Sequence, residues 1–370
     1  MLRKPPPSSA PPLPATDPHL RARARGTPAQ PANRFERLHR EWEHDGWDQP
    51  ETGHTIARTV SIEQPRKAIS YNRSPDLGFD RAVNPYRGCE HGCIYCYARP
   101  SHAWLGLSPG LDFETRLIAK PDAPALLARE LGHKGYRVAP LALGTNTDPW
   151  QPIEARHRIT RGLLEVLRDW RHPVTITTRG ALIERDIDIL SAMAEQNLVE
   201  IGISITTLDA ALARAMEPRA PSPQRRLQII AALHGAGVPV RLMLAPVIPG
   251  LTDHEVERVM AAARAAGAQT AWWSLLRLPH EVNALFQDWL ARHRPERAEK
   301  VMRALREQRD GRDNDPRFGA RFRGTGVAAD LLRARVRLAR RRLGYAERLP
   351  PLDCSRFAPP PRPGDQLSLF

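Results

Sequence analysis

Between residues 80 and 280, short apolar runs alternate with amphipathic stretches. Val138–Leu143, Val174–Thr178, Val199–Ile205, Val238–Ala245 and Thr270–Leu275 are rich in valine, isoleucine, leucine and threonine, and polar or glycine-bearing segments bound them. Runs of this length and make-up predict strands, and their recurrence every 25 to 39 residues matches the length of a βα unit. Helix-spaced apolar residues fill Ile159–Trp170, Glu184–Gln196, Pro223–His234 and Asp253–Ala266, and also Pro121–Leu131 before the first run. Gly235 and Gly237 predict a helix stop, and Thr252 an N-cap for the next helix. A repeating βα pattern implies parallel strands with helices outside. One more strand near Val83 brings the number to six, which suits an α/β fold built as a partial (β/α)6 barrel of the TIM type.

The flanks read differently. Nine prolines fall in the first 31 positions without apolar periodicity, so residues 1–60 are expected to be a disordered Pro/Arg-rich region. Residues 61–280 form the expected core, 281–348 a basic helical C-terminal region, and 349–370 a proline-rich linker and tail. The 370 residues suffice for one large domain or two smaller ones. Their net charge of +14 favours an anionic partner such as nucleic acid. Much of the excess lies in Arg321–Arg342, where eight arginines face one acid, Asp330. No 18-residue apolar run and no signal-peptide core occur, so a cytoplasmic protein without a membrane partner is expected.

Three of the four cysteines crowd into Cys89-Glu90-His91-Gly92-Cys93-Ile94-Tyr95-Cys96, a C-x3-C-x2-C spacing. A structural zinc site needs four Cys or His ligands; His91 is the one local candidate, cramped between two cysteines, and no second C-x2-C pair follows. Disulfides would leave one of the three unpaired. Thiolates are the usual ligands of iron–sulfur clusters, and three of them on a four-iron cubane leave one iron open to bind a small molecule. Cys354, far downstream beside prolines, reads as an incidental thiol.

The motif Cys89–Cys96 resembles that of the radical S-adenosylmethionine (SAM) superfamily. That resemblance implies a [4Fe-4S] cluster on Cys89, Cys93 and Cys96, with SAM chelating the open iron and cleaved to a 5′-deoxyadenosyl radical. It covers roughly residues 80–280. In a parallel barrel, chemistry collects at the C-terminal strand ends, and the expected SAM-binding residues lie there: Thr145, Asn146 and Asp148, then Arg179, then Ser204, with Tyr95 near the adenine. Arg179 is the candidate for the SAM carboxylate, because guanidinium pairs with carboxylate bidentately.

Cys93-Ile94-Tyr95-Cys96-Tyr97, Thr147-Asp148-Pro149, Thr178-Arg179 with Ile183-Glu184-Arg185-Asp186, Glu217-Pro218, Arg225-Arg226 and Ala245–Gly250 resemble the spore photoproduct lyase branch, radical SAM enzymes of DNA repair. This implies a lyase-like reaction on nucleic acid, a radical relay through Tyr95 and Tyr97, and a low-potential electron donor such as flavodoxin or ferredoxin. Arg179 stands in place of that branch's SAM-holding lysine. Gly144 stands where the branch carries its hydrogen-returning cysteine. Independently, the terminal Gln366-Leu367-Ser368-Leu369-Phe370 resembles the short peptide with which bacterial repair proteins dock on the β sliding clamp. Two rivals stay open: a radical SAM enzyme acting on protein or a small metabolite, and a non-catalytic iron–sulfur protein associated with DNA.

Overall fold

The computed structural model describes residues 25–35 and 57–360. The terminal peptide Gln366–Phe370 and most of the first 60 residues lie outside the described residues. Ten strands occur among the described residues: β1 (Thr59–Ile62), β2 (Ile69–Tyr71), β3 (Arg81–Val83), β4 (Tyr86–Arg87), β5 (Arg116–Ala119), β6 (Leu141–Leu143), β7 (Val174–Thr178), β8 (Val199–Ser204), β9 (Val240–Val247) and β10 (Thr270–Leu275).

The main sheet runs β10-β9-β8-β7-β6-β3-β2. Strands β3, β6, β7, β8, β9 and β10 are parallel, each paired with the next, and β2 caps one edge antiparallel to β3. Sequential pairing of six parallel strands is the expected partial barrel; the described strands do not close it, and β10 is left as an edge. The strands are buried because helices Ala123–Leu131, Ile159–Asp169, Ile187–Ala194, Pro223–Gly235 and Val256–Ala265 cover the outer face. Leu163, Leu164 and Leu167 of the second, and Ile229, Ile230 and Leu233 of the fourth, are fully buried, as helix-period spacing requires. Thr252 does precede a short 3₁₀ turn, but its hydroxyl accepts from the Ile248 N–H, 2.9 Å away, instead of capping the helix.

A smaller sheet, β1-β5-β4, holds the chain just before the cysteine loop. Its strand β4 lies antiparallel to β5, with Tyr86 opposite Ala119. The C-terminal region is helical, with Glu281–His293, Pro295–Glu307 and Gly326–Arg342.

Two segments expected to be disordered or free are packed. Residues 25–35 strap the back of the cysteine loop: Thr27, Ala29 and Asn33 are buried, the Ala29 carbonyl accepts from Leu111 N–H at 3.0 Å, and Asn33 Nδ2 donates to the Ala103 carbonyl at 2.8 Å. The proline-rich segment after Leu349 is tied to the floor of the sheet, where strands begin. Asn197 Nδ2 donates to the Pro351 carbonyl at 2.7 Å, Asp353 N–H to the Asn197 carbonyl at 2.9 Å, and the Phe357 ring packs 6.0 Å from Trp170. Prolines free of ladder bonding leave a segment to be ordered by a few aromatic and backbone anchors, which composition alone does not reveal.

Candidate functional site

The cysteine loop is shaped by two glycines in the left-handed region, Gly88 at φ +76° and Gly92 at φ +66°. A Cβ at Gly92 would stand 2.6 Å from Glu114 Oε2, so the close turn needs glycine there. Arg99 organises the loop from beneath. It is fully buried, its Nε donates to the Cys93 carbonyl at 2.9 Å, and its other nitrogens reach the Gly92 and Gly110 carbonyls and Glu114 Oε1, the last at 2.5 Å. Glu114 Oε2 in turn accepts from Gly26 N–H at 2.9 Å. Gln151 clamps the other side, accepting from Glu90 N–H at 2.9 Å and donating to the Gly88 carbonyl at 3.1 Å.

Cys89 and Cys93 are buried and Cys96 half-buried; none is in a disulfide. Beyond burial, Cys96 adds to the upward push on both Cys89 and Cys93, so the three thiols stand near one another. Three thiols are one short of the four ligands a structural zinc ion takes, and they suit a cubane with one iron left open. Burial pushes both buried thiols up, Cys93 to about 12 in spite of Arg179. Left alone, Cys89 and Cys93 stay thiols, and a cationic iron core would supply the charge that makes them thiolates. His91 is not placed as a fourth ligand. Its Nδ1 faces Asp148 Oδ2 at 3.4 Å, without hydrogen-bond alignment.

Arg179, at the C-terminal end of β7, joins the loop to the barrel. Its Nη1 lies 2.8 Å from Cys93 Sγ, 2.8 Å from the Tyr95 hydroxyl and 3.0 Å from Glu217 Oε1. Tyr95 is buried, and its hydroxyl also meets Glu217 and, at 3.0 Å, Thr206 Oγ1. The second oxygen of Glu217 pairs with buried Arg226, whose Nη1 donates to the Ser204 carbonyl at 3.1 Å. Glu217, Arg226 and Thr206 were not among the sequence candidates. The phrases Glu217-Pro218 and Arg225-Arg226 carried a hint of them, but nothing in the sequence marks a carboxylate that bridges two arginines.

The remaining candidates divide. Thr145 sits at the mouth, its hydroxyl 3.2 Å from Asn84 Nδ2 and its carbonyl accepting from the Tyr97 hydroxyl. Asn146 is half-buried beside it, its N–H donating to Asn84 Oδ1 at 3.0 Å. Tyr97 is 50% exposed, so of the two tyrosines it is the one open to a ligand. Asp148 is committed internally: it accepts from Thr178 Oγ1 at 2.6 Å, Trp150 N–H at 2.9 Å and Arg179 N–H at 2.9 Å. Burial opposes its ionisation, but His91 and these donors outweigh that and hold it at about 2.

Gly144 has φ +81°, and a Cβ there would fall 2.0 Å from the Thr177 carbonyl oxygen. A cysteine at this position would require the backbone to move. Cys354 cannot substitute, because it lies on the floor beside Asp353 and Phe357, at the strand ends opposite the cysteine loop.

Comparison with known proteins agrees with this geometry. Residues 83–263 match the model of the radical SAM superfamily. An uncharacterized protein of Mycobacterium bovis is 39% identical over 222 residues, 60% of this chain and 65% of that protein. An uncharacterized protein of Methanocaldococcus jannaschii is 26% identical over 190 residues, 51% of this chain and 68% of that protein. The chain thus spans just under two thirds of the mycobacterial relative's length. Among solved structures, spore photoproduct lyase complexed with dinucleoside spore photoproduct is similar in fold, with a TM-score of 0.53, 15% identity, and coverage of 77% of this chain and 79% of that one. No helix among the described residues is long and apolar enough to cross a membrane. Radical SAM proteins use a [4Fe-4S] cluster and SAM, and the thiol loop fits both. Residues 83–263, with the three cysteines on the loop that follows β4, thus form a radical SAM domain.

Proposed function

We propose that this protein is a radical SAM enzyme that acts on nucleic acid, in repair or nucleotide modification. The observation that carries the catalytic part is the joining of Cys93, Tyr95, Arg179 and Glu217 through one guanidinium. Cys89, Cys93 and Cys96 would hold the cluster. Bound there, a reduced cluster with SAM on its open iron supplies the 5′-deoxyadenosyl radical.

The protein's own residues do the rest. Arg179 offers a fixed cation beside a thiol ligand, placed for the carboxylate of SAM; Glu217 and Tyr95 hold that guanidinium in position. Thr145, Asn146 and Ser204, at the ends of β6 and β8, offer hydroxyl and amide groups for the ribose and ammonium. Asp148 is a positioning residue that locks the β6 and β7 loops together. Tyr97, exposed at the mouth, is the better placed of the two tyrosines to exchange a hydrogen with a substrate; Tyr95 is held in a buried network. With Gly144 in place of a thiol, hydrogen return through a cysteine at that strand end is not part of the proposal.

The nucleic-acid part is supported by the net charge of +14 and by the fold shared with spore photoproduct lyase. We further propose that Gln366–Phe370 docks on a sliding clamp. Deleting those five residues should abolish clamp capture in a pull-down and leave SAM chemistry intact; capture that persists overturns the docking assignment.

The test of the main proposal is anaerobic reconstitution with iron and sulfide, then dithionite reduction with SAM, measuring 5′-deoxyadenosine with and without damaged DNA. Formation of deoxyadenosine, increased by DNA, is expected. A cluster that forms without SAM cleavage overturns the catalytic reading, and stimulation by a peptide or metabolite but not DNA overturns the substrate class. Cys93→Ala should lose the charge-transfer absorption of the reconstituted cluster; retention would remove Cys93 from the ligand set.

A further inference from the structure

On the outer side of edge strand β10 lies a groove of about 490 Å³, walled by helix Gly326–Arg342. Arg323, Arg333, Arg337, Arg340, Arg341 and Arg348 line it, with Glu347 as the sole acid among its lining residues. Trp272 and Trp273 form its inner wall. Among the described residues, no ion pair is formed by Arg337, Arg341 or Arg348, and all three are exposed. Burial, and then the charges of Arg333 and Arg340, hold Arg323 down to about 10, still protonated at neutral pH.

The groove is continuous with the mouth of the site through stacked cations and rings. The Arg323 guanidinium sits 4.6 Å from the Trp273 ring and 5.6 Å from Trp272. Trp272 meets Phe322 edge-on at 5.9 Å. Arg277 lies over Phe322 at 5.1 Å and over Tyr97 at 5.5 Å, and Arg277 Nε is buried without a partner among the described residues. Tyr97 is the residue that touches Thr145.

We propose that this groove and the arginine–aromatic ridge from Trp272 to Tyr97 bind a single-stranded nucleic acid that flanks the reacting nucleotide. The inference rests on the nucleic-acid reading above. Arginines neutralise phosphates, and the partly exposed rings of Trp272 and Phe322 with exposed Tyr97 offer surface for bases, the pairing that single-strand binding surfaces use; Trp273 is buried beneath Arg323 and backs the wall. A membrane surface fits less well, because the exposed apolar residues of the same helix, Val327, Leu331 and Leu338, are not among those lining the groove.

The test uses the full-length protein and the variant Arg337→Glu/Arg341→Glu, titrated with a fluorescent single-stranded oligonucleotide at several salt concentrations. Both residues are exposed and neither touches the SAM site. The variant should bind at least tenfold more weakly at low salt, with a log–log salt slope shallower by about 1.4, about 0.7 for each lost phosphate contact. Its deoxyadenosine formation without DNA should equal that of the parent. Arg297→Glu/Arg303→Glu, the same charge change on helix Pro295–Glu307, should retain most of the affinity.

If the parent protein binds no oligonucleotide, the nucleic-acid reading fails and the track with it. If the parent binds and the groove variant binds equally, with an unchanged slope, only the track is overturned. Loss of binding to phosphatidylserine–phosphatidylcholine vesicles with oligonucleotide binding intact would reassign the groove to a lipid surface.

Discussion

Arginine does opposite work in two regions of this molecule. Around the cysteine loop, buried carboxylates gather guanidiniums: Glu114 takes buried Arg99, Glu217 takes buried Arg226 and half-buried Arg179, and Glu90 takes Arg58 and Arg219 from nearer the surface. Along the outer groove, six arginines face one lining glutamate, and of the six only Arg333 has an ion-pair partner, Asp330, among the described residues. Matched charge in a dry interior fixes geometry, because a buried charge has no water to take in place of its partners. Unmatched charge on a surface is free to take its counter-charge from outside. The same residue type is therefore scaffold in one place and reception surface in the other, and the distinction lies in what stands opposite. Neighbours in sequence even fall on different sides: Arg321 is matched by Asp76 and Arg335 by Glu257, whereas Arg337 and Arg341 form no ion pair among the described residues.

The sharpest way to break this contrast is Arg99→Met. The change strands a buried Glu114 and frees the Cys93, Gly92 and Gly110 carbonyls. Burial already pushes the Glu114 carboxyl up although Arg99 stands beside it, so the pair is costly to half-remove. We expect a loss of about 3–5 kcal/mol in urea unfolding and failure to reconstitute the cluster. Arg99→Met/Glu114→Leu should recover part of the stability, because the two charges leave together while the three loop carbonyls and the Gly26 N–H stay without their partners. A single-variant loss below about 1 kcal/mol would show that the matched region does not depend on its pairs.

Acid separates the buried interior from the outer groove by another route. His172 is fully buried on the floor, its Nε2 2.7 Å from the Tyr136 hydroxyl and its Nδ1 2.9 Å from the Pro173 carbonyl. Burial lowers its pKa to about 4, below the ordinary value of 6.5. The folded state therefore resists protonation more than the unfolded chain does. Stability is full above about pH 6.5 and is lost as pH falls toward 4, by about 3 kcal/mol for the whole shift. Guanidiniums stay charged throughout. Urea midpoints should thus fall between pH 7.5 and 5 while oligonucleotide affinity, corrected for the folded fraction, stays level. His172→Gln should remove about half of the descent, because burial lowers His102 to about 4 as well; an unchanged slope would take His172 out of the acid response.

Much of this was legible in the chain. Six strands, their parallel order and the covering helices follow from apolar runs spaced by amphipathic ones, because burial imposes period on sequence. The thiol loop was legible because ligand spacing is local. The Arg99–Glu114 and Arg226–Glu217 pairs were not, because a charged residue carries no mark of burial until its partner, 15 or 9 positions away, is placed. The ordered segments 25–35 and 349–358 were missed for a related reason: prolines and arginines look disordered by composition, while a handful of backbone bonds and the Phe357 ring hold them down. The basic stretch was visible as charge, but its division into matched and unmatched arginines needed the fold.

The smallest effect on the fold is expected where the charge is least matched. Arg337→Glu/Arg341→Glu removes no described ion pair and places two carboxylates among the remaining groove arginines. Exposed charges interact over roughly a Debye length, about 8 Å at physiological ionic strength, so the parent carries a self-repulsion that salt relieves. The variant's stability should lie within about 0.5 kcal/mol of the parent at 0.15 M salt. At low salt it should be the more stable of the two, and its melting temperature should rise less as salt is added. That sign is what separates a surface kept cationic for a ligand from one whose arginines hold the fold together. A loss above about 1 kcal/mol, insensitive to salt, would mean that the groove arginines are structural and that the two regions use arginine alike.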